Sequence, residues 1–178
     1  ATNAGVINVT ARDINLNGAT SGGNLDRPND AHIRAYGVQI GGAGSLGQGG
    51  VVNLTETRDY NTNEFVTVNA KGTTVPSGGT FTKGVINITA GNNANVDGIH
   101  QVGGRLFTNG GGGLLDIQAA NTLTVENTSL LGATVTGETG AYTGDGGRID
   151  LTSTSGNIVI NGGSTVIGGV QRGLVDFS

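Results

Sequence analysis

Few residues in this sequence have the type and spacing that catalysis requires. Cleavage of a polysaccharide needs a pair of carboxylates, or an acidic metal site with a base, held in a cleft. The one cluster that combines carboxylates with an aromatic ring is Tyr60 with Asp59 and Glu64. Aromatic residues make up 4% of the chain, tryptophan is absent, and neither His32 nor His100 has a nucleophile at an obvious spacing. We therefore predict no catalytic residue, no enzyme activity and no cofactor.

A second set of polar residues could act together only if the fold aligned them. Six segments read Gly, any residue, aliphatic, Asn or Asp, aliphatic or aromatic, and their shared polar position is occupied by Asn8, Asn53, Asn87, Asp116, Asp150 and Asp176. Stacked amides of this kind can hydrogen-bond along a ladder, which is the interpretation we favour. Asp116 and Asp150 would repel each other unless a proton or a cation neutralised them. A Ca²⁺ ion needs several more oxygens, and residues 41–44 lack the Asp of a calcium-binding nonapeptide, so we predict no metal site.

The six segments also define the elements that must position these residues. They begin at Gly5, Gly50, Gly84, Gly113, Gly147 and Gly173. Apolar residues alternate with polar ones in each segment, which is typical of a β-strand with one buried face. The intervals between the glycines run from 26 to 45 residues, too variable for a leucine-rich or helical repeat. The pattern predicts strands that stack on one another.

Shorter apolar alternations between these segments predict two further faces. The second face would comprise residues 14–16, 66–68, 123–125 and 158–160, with only Val96 representing it in the third coil; the third face would comprise residues 35–40, 99–102, 133–135 and 165–167. We therefore predict an all-β fold, a single-stranded parallel, right-handed β-helix or β-solenoid of about five to six coils. It would form one domain over residues 1–178, with loop insertions in the first two coils at residues 20–50 and 56–64.

The composition excludes several functional classes. The chain has 178 residues, 35 of them glycine but only two proline, without the Gly-X-Y period of collagen. Cysteine is absent, so no disulfide or thiolate metal site is available. A net charge of −4 with nine scattered basic residues disfavours nucleic-acid binding. No apolar run is long enough to span a bilayer, so we expect no membrane insertion.

The last third of the chain resembles a known family of secreted proteins. Residues 121–136 read Asn-Thr-Leu-Thr-Val-Glu-Asn-Thr-Ser-Leu-Leu-Gly-Ala-Thr-Val-Thr, and residues 146–152 and 156–166 continue with Gly-Gly-Arg-Ile-Asp-Leu-Thr and Gly-Asn-Ile-Val-Ile-Asn-Gly-Gly-Ser-Thr-Val. These runs resemble the repeats of filamentous-haemagglutinin-type exoproteins, large β-helices of bacterial surfaces. The resemblance implies a secreted, extracellular or cell-surface adhesin or matrix protein. The Asn-Pro-Asn signals of that family's secretion domain are missing, so the resemblance does not define an export route.

Both ends of the predicted solenoid carry strands without an evident cap. We expect the end strands to associate with identical copies, head to tail, and the residues assigned to this contact are Val6, Ile7, Val9, Leu174, Val175 and Phe177. The expected function is that of a self-assembling filament, adhesin or biofilm-matrix fibre, whose further partners would be a surface polysaccharide or a host cell. The alternatives are a carbohydrate-binding or carbohydrate-cleaving β-helix, and an excerpt of a larger exoprotein.

Overall fold

The computed structural model describes residues 5–18, 31–35, 49–70, 72–75, 84–102, 104–106, 113–126, 129–132, 147–162, 164–167 and 174–178. Within these ranges the chain forms β-strands and no helix. Accordingly, this part of the chain contains no helix of the length and apolar character needed to cross a bilayer. The predicted all-β class is confirmed.

The largest sheet, sheet 1, is built from the six glycine-initiated segments. In order across the sheet, its strands are β1 (Val6–Ala11), β4 (Val51–Glu56), β8 (Val85–Ala90), β12 (Leu114–Ala119), β15 (Arg148–Ser153) and β18 (Leu174–Phe177). All neighbours are parallel and pair at the same repeat position, for example Val52 with Ile86 and Leu54 with Ile88. The register predicted from the repeat is therefore confirmed.

The shorter strands form two further sheets of five strands each and one separate pair of strands. Sheet 2 contains β2 (Ile14–Leu16), β5 (Tyr60–Thr62), β9 (Ala94–Val96), β13 (Leu123–Val125) and β16 (Ile158–Ile160). Sheet 3 contains β3 (Ala31–Arg34), β6 (Val66–Asn69), β10 (Ile99–Gln101), β14 (Leu130–Gly132) and β17 (Thr165–Ile167). The pair consists of β7 (Gly72–Val75) and β11 (Gly104–Leu106). Strands in all of these sheets are parallel.

The chain visits sheets 1, 2 and 3 in that order and then returns to sheet 1, and in the second and third rounds it forms β7 and β11 before it returns. We call each such round a pass. Pass 1 contains β1, β2 and β3; pass 2 contains β4, β5 and β6; pass 3 contains β8, β9 and β10; pass 4 contains β12, β13 and β14; pass 5 contains β15, β16 and β17; β18 follows in sheet 1. This order with parallel pairing is compatible with a parallel β-helix or solenoid.

The core lies between the sheets and follows the alternation of the repeat. In passes 2 to 5, the inward side chains of sheet 1 are completely buried: Val52, Leu54, Ile86, Ile88, Leu115, Ile117, Ile149 and Leu151. Burial of a large aliphatic side chain stabilises a fold by about 1.5–3 kcal/mol. Because each row is covered by the rows of the passes on either side, the core depends on stacking.

Glycine is required at the start of the second and third sheet 1 segments, at Gly50 and Gly84, where the backbone comes close to the end of the preceding sheet 3 strand. The amide of Gly50 donates to the carbonyl of Ala35 at 2.9 Å. A Cβ atom added at Gly84 would lie 1.8 Å from the carbonyl oxygen of Ala70. Only a residue without a side chain allows this close backbone approach.

The prediction for the second strand of pass 2 was wrong. Residues 66–68, expected in the second face, belong to β6 of sheet 3, and β5 takes the predicted place. Residues 56–64 are therefore not an insertion loop, because they contain β5 and the end of β4. Tyr60-Asn61-Thr62 lacks aliphatic residues, and the apolar pattern alone did not reveal it as a core strand. The other expected insertion, residues 20–50, lies largely outside the described residues.

Candidate functional site: the open edges of sheet 1

The strands assigned to self-association lie at opposite edges of sheet 1. Among the described residues, β1 is paired only with β4, and β18 only with β15. Each strand therefore has one side whose backbone amides and carbonyls have no strand partner in the described part of the chain. Such an edge can accept a further parallel strand.

The register separates the predicted contact residues into two faces. Inward-facing members are Ile7 and Val9 on β1, which pair with the buried Val52 and Leu54, and Val175 and Phe177 on β18, which pair with the buried Ile149 and Leu151. Although it occupies an inward position, Phe177 is 51% exposed. The two edges thus present apolar inner rows that a further strand could cover.

The remaining two contact residues are Val6 and Leu174. Val6 pairs with Val51 and is 61% exposed, and Leu174 pairs with Arg148. Both positions alternate with those of the core row, so covering that row does not require them. The four inward residues are therefore the stronger part of the predicted contact.

The polar ladder predicted from the repeat runs along the outer face of sheet 1. Asn53 donates through Nδ2 to Oδ1 of Asn8, and Asn87 donates in the same way to Asn53, both at 2.7 Å. Sheet 2 carries a parallel ladder, in which Asn61 donates to Asn15 at 2.9 Å and Asn95 donates to Asn61 at 2.7 Å. Side-chain hydrogen bonds between amides thus join passes 1 to 3.

In the later passes the same outer row is acidic, and side chains of the protein neutralise it. Arg148 donates through Nε to Asp150 at 2.5 Å and through Nη2 to Asp176 at 3.4 Å. Gln118 donates to Asp116 at 2.8 Å. Burial raises the pKa of Asp116, the Gln118 hydrogen bond opposes that rise, and the charge of Asp150 adds to it. From the sequence alone, this acidic row would need a proton or a cation to neutralise it. The guanidinium of Arg148 supplies a positive charge there.

The cluster considered for carbohydrate chemistry does not form a surface site. Tyr60 is completely buried, whereas Glu64 is exposed. Asp59 accepts hydrogen bonds from Nδ2 of Asn92 at 2.8 Å and from the amide of Asn93 at 3.1 Å. The interpretation of Tyr60 as part of a sugar-binding groove is therefore wrong, because its ring packs in the core.

The two histidines lie on different strands of sheet 3. His32 belongs to the edge strand β3, where its Nδ1 is 3.1 Å from Nη2 of Arg34. His100 belongs to β10 and is completely buried. No group of three or more histidine or acidic side chains within the described ranges is arranged to hold a metal ion. Residues 41–44, considered for calcium binding, lie outside those ranges.

Sequence reasoning missed two features of this region. The first is the neutralisation of acidic side chains by Arg148. This residue follows the glycine of its segment at a position where the other five segments have Val or Leu, and that difference was the available signal. The second is Glu56, which is 2% exposed. Glu56 is two residues beyond the buried Leu54, so strict alternation would have placed it inside.

No family model, curated protein or solved structure matches this chain.

Proposed function

We propose that this chain is a non-catalytic, extracellular structural protein whose copies join head to tail into a surface filament or matrix fibre. One observation carries the proposal: β1 and β18 occupy opposite edges of one parallel sheet and present the same repeat. A contact between two different edges does not close on itself, so each added copy leaves a new edge free. The assembly therefore grows in one direction.

The proposed junction continues the register that already exists inside sheet 1. β18 of one copy would pair with β1 of the next as β15 pairs with β18, so that Val175 lies over Ile7 and Phe177 over Val9. Asp176 would then lie over Asn8, where an amide can donate to a carboxylate. A charge-assisted hydrogen bond of this kind is stronger than one between neutral groups.

The finer architecture forms part of the same proposal. The passes are taken as the coils of one right-handed parallel β-solenoid over residues 1–178, with five to six coils. Six strands of sheet 1 at a spacing of roughly 4.8 Å give each copy a length of about 29 Å along the fibre. This repeat is a measurable property of the expected fibre.

Secretion and adhesion rest on the resemblance to filamentous-haemagglutinin-type exoproteins. The low charge and the outward amide ladders are compatible with a surface in contact with solvent. Contact with a surface polysaccharide or a host cell is the extension that the resemblance implies. The carbohydrate-cleaving alternative loses its motivation, since Tyr60 is buried.

The junction depends on sheet 1 more than on the other two sheets. In the described part of the chain, sheet 1 has six strands, whereas sheets 2 and 3 have five each. When β18 meets β1, sheets 2 and 3 are each one strand short at the junction. A contact of this small size should depend steeply on protein concentration.

Replacement of Val175 by Asp tests the junction directly. A charge in the inner row of β18 would be buried without a partner on assembly, so we expect V175D to abolish fibres. Val159 provides a matched control: it is a valine of the edge strand β16 and is 39% exposed. We expect V159D to assemble like the wild type, because β16 lies outside the sheet 1 junction.

Negative-stain electron microscopy and light scattering over a concentration series would measure assembly, and circular dichroism would verify that each variant retains its strands. Single short rods of the wild-type protein at every concentration would refute the proposed function. Fibres of V175D that match those of the wild type would refute the junction through β18.

A further inference from the structure

The interior between passes 2 and 3 contains polar side chains that self-association does not use. Glu56 is 2% exposed, and Tyr60 and His100 are completely buried. The Tyr60 hydroxyl lies 2.9 Å from Nε2 of His100, and the two rings meet edge to face with centroids 6.1 Å apart. Neither carboxyl oxygen of Glu56, nor Nδ1 of His100, has a hydrogen-bond partner among the described residues.

The repeat explains how these groups come to lie inside. Glu56 occupies the inward position after Leu54, and its partners in register are Ala11 on β1 and Ala90 on β8. Tyr60 pairs with Ala94 on β9 and with Ile14 on β2. Small residues on both neighbouring strands leave room for Glu56. Tyr60 has a small neighbour on one side only, and its hydroxyl reaches His100 of the next pass.

No positive charge in the described interior balances a Glu56 carboxylate. Ala11 and Ala90 do not ionise, and His100 stays neutral because burial lowers its pKa to about 3. Arg58, two residues after Glu56 in the sequence, is half exposed and donates to Asp13 through Nε at 2.6 Å and Nη2 at 2.8 Å. Tyr60 is neutral, and the negative charge of Glu56 adds to the burial that raises its pKa.

A buried carboxylate without a partner is strongly destabilising, whereas the neutral acid costs much less. We propose that Glu56 forms a buried proton-binding site in which the folded protein holds its carboxyl group protonated. Loss of that proton weakens the contact between passes 2 and 3. The site makes the stability of the fold respond to pH, independently of assembly.

The direction of the response follows from linkage. Burial raises the pKa of Glu56 from 4.5 to about 7 in the folded chain. The contribution of the proton is therefore complete below pH 4.5 and is lost as the pH rises through about 7. His100 acts oppositely, since its lowered pKa favours the folded state as the pH rises from about 3 to its ordinary value of 6.5.

A comparison of wild-type protein with E56Q isolates the Glu56 contribution, because His100 is common to both. Gln has nearly the same shape and cannot ionise. We expect the difference in melting temperature, wild type minus E56Q, to decrease by roughly 6–12 °C between pH 4.5 and 8. E64Q is the matched control, since Glu64 is exposed. The difference in melting temperature between the wild type and E64Q should not show this decrease with pH.

Infrared difference spectroscopy gives a second readout that does not require a folded variant. The wild-type protein at pH 6 should show the carbonyl stretch of a protonated carboxyl group, which disappears with an apparent pKa near 7. Absence of that band at pH 6 would overturn the proposal. A constant difference in melting temperature between the wild type and a folded E56Q would do the same.

Discussion

The middle of the molecule and its two ends use the same repeat with different results. At the first inward position of sheet 1, Ile86 and Leu115 are completely buried, whereas Ile7 and Val175 are only partly buried. The glycines differ in the same way, because a Cβ at Gly84 would collide with Ala70 but one at Gly5 would have no atom within 4 Å. Burial here thus depends on the neighbouring passes, and segments with the same repeat pattern differ in how well they should tolerate substitution.

Alanine at the two glycines tests this comparison with the largest expected effect. G84A forces a methyl group against the carbonyl of Ala70, so we expect a loss of about 3 kcal/mol in the free energy of unfolding. G5A should leave that free energy unchanged or slightly increased. Urea denaturation of both variants measures the difference, and equal losses at Gly5 and Gly84 would show that the end is as closed as the middle.

Substitution of the two histidines extends the comparison to pH. In the wild type, the opposite responses of Glu56 and His100 should nearly cancel between pH 4.5 and 6.5, which leaves stability flat. H100Q removes one of them, so we expect its unfolding free energy to fall by about 2 kcal/mol as the pH rises across that interval.

The end of sheet 3 provides the control for this experiment. His32 is partly exposed on the edge strand β3, so H32Q is the control for removal of a histidine outside the buried site. Urea denaturation at several pH values measures both variants. A flat profile for H100Q would mean that the buried group in the middle does not titrate as described.

The smallest expected effect concerns the two halves of the outer ladder. R148Q leaves Asp150 and Asp176 without their shared guanidinium, whereas N53A removes only hydrogen bonds between neutral amides. Because Arg148 is exposed, we expect R148Q to lower the melting temperature by no more than about 2 °C, and less at high salt. The effect of N53A should not depend on salt. Thermal melts at two ionic strengths distinguish the halves, and equal salt dependence would contradict the distinction.

The sequence predicted the parts of this fold that depend on alternation. The six segments of sheet 1, their register and the polar ladder follow from a polar residue between two aliphatic ones, and all are confirmed. β2, β13 and β16 were recognised for the same reason. Prediction failed at β5, where Tyr60 and Thr62 supply the inward positions that aliphatic residues fill elsewhere. It was also wrong for β3 and β14, which precede the expected residues 35–40 and 133–135.

Glu56 could not be assigned from residue type, since a carboxylate is rarely buried. Its inward position nevertheless follows from alternation beyond Leu54 and from the register with Ala11 and Ala90. The contact between Tyr60 and His100 joins residues 40 positions apart on different sheets. Alternation within a strand contains no information about such a pairing. The edges were predicted as strands, but their partner stays a prediction.

Each strand of sheet 1 finds its partner one pass away, and its register refers only to that neighbour. A protein with this property can gain or lose a complete round of sequence while its cross-section stays the same. The number of passes is therefore free to vary over evolutionary time by duplication or deletion of single units. Passes 2 and 3 are the exception. Duplication or deletion of only one of them would separate Tyr60 from His100, whose side chains are hydrogen-bonded across the two passes.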